Sequence, residues 1–197
     1  MKQLILIGIF TLLQCFAGHA QNAKELLNEV DNKVKSYKNI KIDFKYGLQN
    51  TEANMNQVTN GDAYLSGEKY MLNLIGTTQI FDGKKLYVIN NEDEEVNISA
   101  PTEDNGFSPS QMFSFYKEGY DAKIDIVQNV NGRKIQYVKL TPTEKDPEIK
   151  SILLGIDKVT KHIYKLIISQ YNGTEVSITV NQFKTNQPLS DTLFSFD

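Results

Sequence analysis

Few groups in this sequence could do covalent or metal chemistry: one cysteine, Cys15, two histidines, His19 and His162, and the acid run Glu92, Asp93, Glu94, Glu95. A Ser-His-Asp centre needs a histidine oriented by a carboxylate. His162 sits in "DKVTKHIYKL", between two predicted strands, where a surface or edge position is the plain reading. A zinc site needs three or four His, Cys or carboxylate ligands, and with one histidine and no cysteine left once a leader is removed none is expected. The acid run lacks the alternating Asp/Asn and Gly spacing of a calcium loop and reads as a solvated turn. Paired carboxylates for glycoside hydrolysis stay open, because the fold sets their pairing, but no pair stands out. Asn97-Ile98-Ser99 and Asn172-Gly173-Thr174 fit glycosylation acceptors, triplets that also arise by chance. The expectation is a protein that is not an enzyme, with no catalytic residue, no metal and no cofactor.

The N-terminus has the outline of an export signal. Lys2 is a positive n-region, "LILIGIFTLL" an apolar core and "AGHA" a small-residue end, with cleavage expected after Ala20. The apolar run is too short for a membrane span. The alternative is lipoprotein processing at Cys15 in "LLQC", although Gln14 is large and polar where that signal wants a small residue. Residues 1–20 are thus expected to be a secretory signal and 21–197 a single domain, long enough for a real core. The leader removes Lys2 and no acid, so the net charge moves from −3 to −4. It also takes away the lone cysteine, and an exported domain of this size can rely on packing. With Arg133 as its single arginine, the chain is badly equipped to neutralise phosphates, which excludes nucleic acid as a partner.

The elements read helix first, then strands. In "AKELLNEVDNKVKSY", Leu26, Leu27, Val30, Val34 and Tyr37 fall on one helical stripe, and Asn39 ends the pattern. The period then drops to 2: Ile40, Ile42, Phe44, Tyr46 and Leu48 alternate with Lys41, Asp43 and Lys45. Further strands are predicted over 58–65, 70–75, 79–81, 85–89, 95–99, 122–130, 134–141, 149–156, 162–170 and 174–183. Asp82-Gly83, Asn131-Gly132 and Asn172-Gly173 supply turns between them. Ser108-Pro109 starts a short predicted helix rich in Met112, Phe113, Phe115 and Tyr116. The fold class is mainly β (α+β), one antiparallel sheet of about ten strands with two or three short helices.

Such a sheet tends to curl. Two or three helices are few to cover its concave face, and no second set of strands is available. Either the helices bury that face completely or something other than protein does part of the work. The sequence pattern alone leaves both open.

In order along the chain, the early helix, "NGDAYLSGEKYMLNL" led by Gly61, the hairpin "IFDGKKLYVINNEDEEVNIS" with Asp82, Gly83, Lys84, Leu86, Tyr87, Glu95 and Val96, then "KLTPTE" and the closing "TLFSF" resemble the outer-membrane lipoprotein carrier family, the LolA-type periplasmic chaperones. The resemblance covers the whole mature chain. It implies a strongly curved, unclosed antiparallel β-barrel with helices as a lid over an apolar cavity. It also implies a periplasmic carrier that shields lipoprotein acyl chains between inner and outer membrane. The implied partners are acylated lipoproteins as cargo, an inner-membrane release complex and an outer-membrane acceptor, with the carrier a monomer. The same fold could hold another lipid cargo or sense lipids, and processing at Cys15 would instead make an anchored acceptor.

Aromatic and Met side chains suit flexible chains without one fixed geometry. On that basis the expected lipid-binding cavity comprises Ile42, Phe44, Tyr46, Tyr70, Leu72, Leu74, Leu86, Val88, Met112, Phe113, Phe115 and Tyr116. For each of them ordinary core packing is the competing reading. "LYVI" is apolar on both faces, which leaves open whether Leu86 and Val88 or Tyr87 and Ile89 face inward. Better-known family members carry an arginine after the Gly-led strand that ties the lid shut, whereas "LSGEKY" has none. A more mobile lid is therefore expected.

Overall fold

The computed structural model describes residues 22–93, 95–100, 109, 111–144, 148–190 and 192–196. The expected leader with Cys15 and Ala20, Glu94 of the acid run and the predicted helix start at Ser108 lie outside the described residues.

A helix, α1, covers residues 22–35. Eleven strands follow: β1 Ile40–Asn50, β2 Met55–Ser66, β3 Lys69–Leu74, β4 Thr77–Phe81, β5 Leu86–Asn90, β6 Glu95–Ser99, β7 Tyr120–Val130, β8 Arg133–Pro142, β9 Ile149–Asp157, β10 Ile163–Gln170 and β11 Thr174–Thr185. Each lies within a few residues of a predicted one. They form one antiparallel sheet in the order β6-β5-β4-β3-β2-β1-β11-β10-β9-β8-β7. All but one of its pairings join strands adjacent in sequence. The exception, β1 with β11, joins the chain's two meanders into a curled sheet, and β6 and β7 remain at its two ends, so the barrel is unclosed. In place of the expected short helix over Met112–Tyr116 there are two 3-10 turns, Gln111–Phe113 and Phe115–Lys117.

Register fixes the two faces, since directly paired residues share a side. Ile42 pairs with Ala63 and Phe183, and Phe44 with Gly61 and Val180, defining an inner face. α1 lies over it: Ala23, Leu27 and Val30 join Ile42, Phe44, Ala63, Leu65 and Tyr70 in one core. Alone in water, a helix of this length is marginal. Burying Leu27 and Val30, about 1.5–3 kcal/mol each, is what holds it.

Two joints are set by polar side chains, the first across nearly the whole chain. Asn39, expected only to stop the helix, donates from Nδ2 to the Gln187 carbonyl (2.9 Å) and accepts from the Gln187 N–H (2.9 Å). Asn186 Oδ1 accepts from the Lys38 N–H at 2.8 Å. At the β7 bulge, buried Gln136 donates from Nε2 to the carbonyls of Asp125 (2.8 Å) and Ile126 (3.2 Å).

The meander also sorts charge along the strand direction. Turns at one end carry Glu52, Glu92, Asp93, Glu144 and Glu148, with Glu175 opening β11, against Lys150. Those at the other end carry Lys38, Lys84, Lys85, Arg133, Lys134, Lys158 and Lys161, against Glu68, Asp82 and Asp157.

Candidate functional site

Eleven of the twelve residues expected to line a cavity meet on one side of the sheet, and the twelfth, Met112, is buried outside that cluster. Ile42, Phe44 and Tyr46 of β1 share the inner face with Tyr70, Leu72 and Leu74 of β3 through β2. Phe81 pairs with Tyr70 and Leu86, and Gln79 with Leu72 and Val88, so Leu86 and Val88 point inward. Tyr87 points outward, where its ring stacks on Phe196 with centroids 5.5 Å apart. The closing "TLFSF" thus packs outside the sheet, with Phe194 buried. Phe113 and Tyr116 belong to the core under α1, and Phe115 packs against it half-buried.

These residues divide into two kinds. Ile42, Phe44, Tyr70, Leu86, Met112, Phe113 and Tyr116 are buried and serve as packed core. Tyr46, Leu72, Leu74, Val88 and Phe115 are half-buried. The open part of the inner face continues onto strands absent from the expected set. Tyr46 pairs with Ile178, which pairs with Leu166, while Leu48 pairs with Val176, and Val176 with Ile168. Both rows run on through β9 and β8 to β7, as Leu154–Val138–Ile124 and Ile152–Leu140–Ala122. At their β1 end they pass from buried to half-exposed, at Leu48, Val176, Ile178 and Ile168. The alternation in "TEVSITV" marked Val176 and Ile178 as one face; only the β1–β11 pairing puts that face beside Tyr46.

Polar contacts hold the cover. Lys117 Nζ lies 2.8 Å from Asp31 of α1, and Tyr116 donates its hydroxyl to the Leu27 carbonyl at 3.4 Å. Burial pushes the Tyr116 phenol far up, with the Asp31 charge adding to it. Asp31 itself would be raised by burial, but hydrogen bonds from Lys117 and Lys35 outweigh this and lower it. From the β9–β10 turn, Lys161 pairs with Glu29. His162 Nε2 lies 2.8 Å from the Tyr37 hydroxyl, and its ring stacks on Phe183 at 4.0 Å. The expected surface or edge histidine is therefore half-buried, because Tyr37, two residues past α1, closes over the turn. Burial pushes its pKa below the usual 6.5 and Lys33 pushes the same way, with Asp157 opposing.

Among the described residues no group of three or more His, Cys, Asp or Glu could hold a metal. An open hollow of about 420 Å³ is bordered by Asp43, Asn60, Asp62, Asn73 and Asn91 together with Leu74 and Ile75, so carboxylates and amides stand beside aliphatic side chains there. What the inner face offers is a curved apolar surface with a packed cover at one side and half-exposed aliphatic rows at the other.

The sequence model of the family described as outer membrane lipoprotein carrier protein LolA matches residues 75–197. The chain belongs to the LolA family. Among curated proteins no sequence matches it. Solved structures similar to this LolA-family chain include an uncharacterized conserved protein from Thermus thermophilus. It shares 11% identity at a TM-score of 0.57, with 88% of this chain and 92% of that one covered. The Mycobacterium tuberculosis lipoprotein LppX is 12% identical at a TM-score of 0.50, covering 85% and 98%. A LolA superfamily protein from Nitrosomonas europaea is 11% identical at a TM-score of 0.48, covering 88% and 97%. At these identities the first two likenesses establish the fold alone, and it is the LolA-like half-barrel. The family's description names a carrier. No helix among the described residues is long and apolar enough to cross a membrane.

Proposed function

We propose that this LolA-family protein is a periplasmic carrier that holds lipoprotein acyl chains on its inner face and ferries them from the inner to the outer membrane. It would act as a monomer that takes cargo from an inner-membrane release complex and passes it to an outer-membrane acceptor. One observation carries the reading: apolar rows that are buried under the cover continue half-exposed across Leu48, Val176, Ile178 and Ile168. Transfer of an acyl chain from water is favourable by about 0.8 kcal/mol per CH₂. A chain of about sixteen carbons would contribute on the order of 12 kcal/mol if wholly buried. A half-open site recovers only part of that, which suits a carrier that must release.

Lipids and acylated proteins co-purifying with the protein from the periplasm are identified by mass spectrometry, alongside binding of a fluorescent fatty acid. Acyl material should be recovered, and Val176→Asp or Ile178→Asp should weaken probe binding at least about tenfold, since each puts a charge where methylenes would lie. Consistently empty protein whose probe binding ignores both substitutions overturns the proposal.

A further inference from the structure

We propose that the end of the sheet formed by the β7–β8 and β9–β10 turns is a docking surface for the anionic phospholipid headgroups of a bilayer. Placement comes first. The Lys158 N–H donates to the Lys134 carbonyl at 3.0 Å, so the two turns lie side by side and their lysines form one patch. Lys38 leads into β1 on the same rim. Lys38, Lys134 and Lys158 are exposed, with no carboxylate in ion-pair range among the described residues. Of the acids at this end, Asp157 is buried, accepts the N–H groups of Val159 and Thr160 and faces Arg133, Glu29 takes Lys161, and Asp82 accepts the N–H groups of Lys84 and Lys85, while Glu68 stands exposed on the β2–β3 turn.

Chemistry at the tip selects the partner. Val159, between Lys158 and Thr160, is 85% exposed. An apolar side chain standing free among lysines matches a bilayer interface, where headgroups take the charge and the acyl boundary takes the valine. An acidic protein would answer the lysines and leave Val159 in water.

The protein's net charge of −3 does not oppose this. The acidic turns lie at the far end of the strands, about 30 Å away along the eleven-residue β1, several screening lengths at physiological salt. The same end holds the α1 contact of Glu29 with Lys161 and the Tyr37 contact at His162, so docking would bring the edge of the cover to the membrane. The inference concerns where the protein docks and is independent of what it carries.

The test is flotation of the purified protein with phosphatidylglycerol-containing vesicles and with pure phosphatidylcholine vesicles at low and physiological salt. Binding should require phosphatidylglycerol and fall with salt. Near an anionic surface each lysine is worth about fivefold in affinity, so Lys134→Glu with Lys158→Glu should weaken binding at least about 25-fold. Lys150→Glu at the opposite end should leave it unchanged, and the double variant should unfold at the wild-type temperature. Equal binding to both vesicle types, or binding indifferent to the double reversal, overturns the proposal. So does failure to bind at low salt, which would leave the patch to an acidic protein.

Discussion

His162 is where a single residue carries most information. Its pKa is held below 6.5 in the folded chain, so the unfolded chain binds more protons just below neutrality. Its contribution to stability is therefore complete above the unfolded value and lost as pH falls below it. Asp31, Asp82 and Asp157 are lowered from 3.8 and act only at more acid pH. The melting temperature should thus fall between about pH 7 and about pH 5, and His162→Gln, which can still reach Tyr37, should flatten that slope. An unchanged slope in the variant would place the titrating group elsewhere. The sequence placed this histidine between two strands correctly but could not show that Tyr37, just past the helix, and Phe183 of the last strand enclose it.

At the scale of elements, period and turn residues were sufficient to find every strand. Asn131-Gly132 is a two-residue hairpin turn with φ of 51° and 81°, as the dipeptide predicts. Asp82-Gly83 opens a four-residue loop instead of a two-residue one, because the Asp82 carboxylate accepts the N–H groups of Lys84 and Lys85, both at 2.7 Å. The β3–β4 turn was hidden: Ile75 was expected to continue the strand, yet it sits at φ 50°, a conformation β-branched residues avoid. Gly61, which opens a family-like stretch in the sequence, is explained by packing. A Cβ there would stand 2.6 Å from the Phe44 ring and 2.8 Å from the Asn73 carbonyl oxygen. Gly61→Ala should therefore cost about 1–3 kcal/mol in denaturant unfolding. A change under a few tenths would mean that Phe44 moves freely aside.

For the whole molecule, the question the sequence left was how the cover is held without the arginine of better-known relatives. The answer is dispersed: Lys117 on Asp31, Tyr116 on the Leu27 carbonyl, Lys161 on Glu29 and His162 on Tyr37. Within the 3-10 segment, Ser114 donates to Gln111 and Lys117 to Ser114, whereas β8 and β9 pair along most of their length. Amides of residues 111–117 should exchange with solvent well before those of β8 and β9. Equal protection would defeat the idea of a mobile cover.

The sequence by itself determined the alternation of helix, strand and turn, the antiparallel class, the apolar character of the inner face and the family, because these are local periods and short motifs in order. Only the tertiary structure decided which face Leu86 and Val88 take, since "LYVI" is apolar on both sides and register is set by the neighbouring strand. It alone decided that β1 pairs with β11, over a separation of more than a hundred residues. That one pairing places Val176, Ile178 and Ile168 beside Tyr46 and Leu48, and so extends the apolar rows beyond the residues that any local pattern could group together.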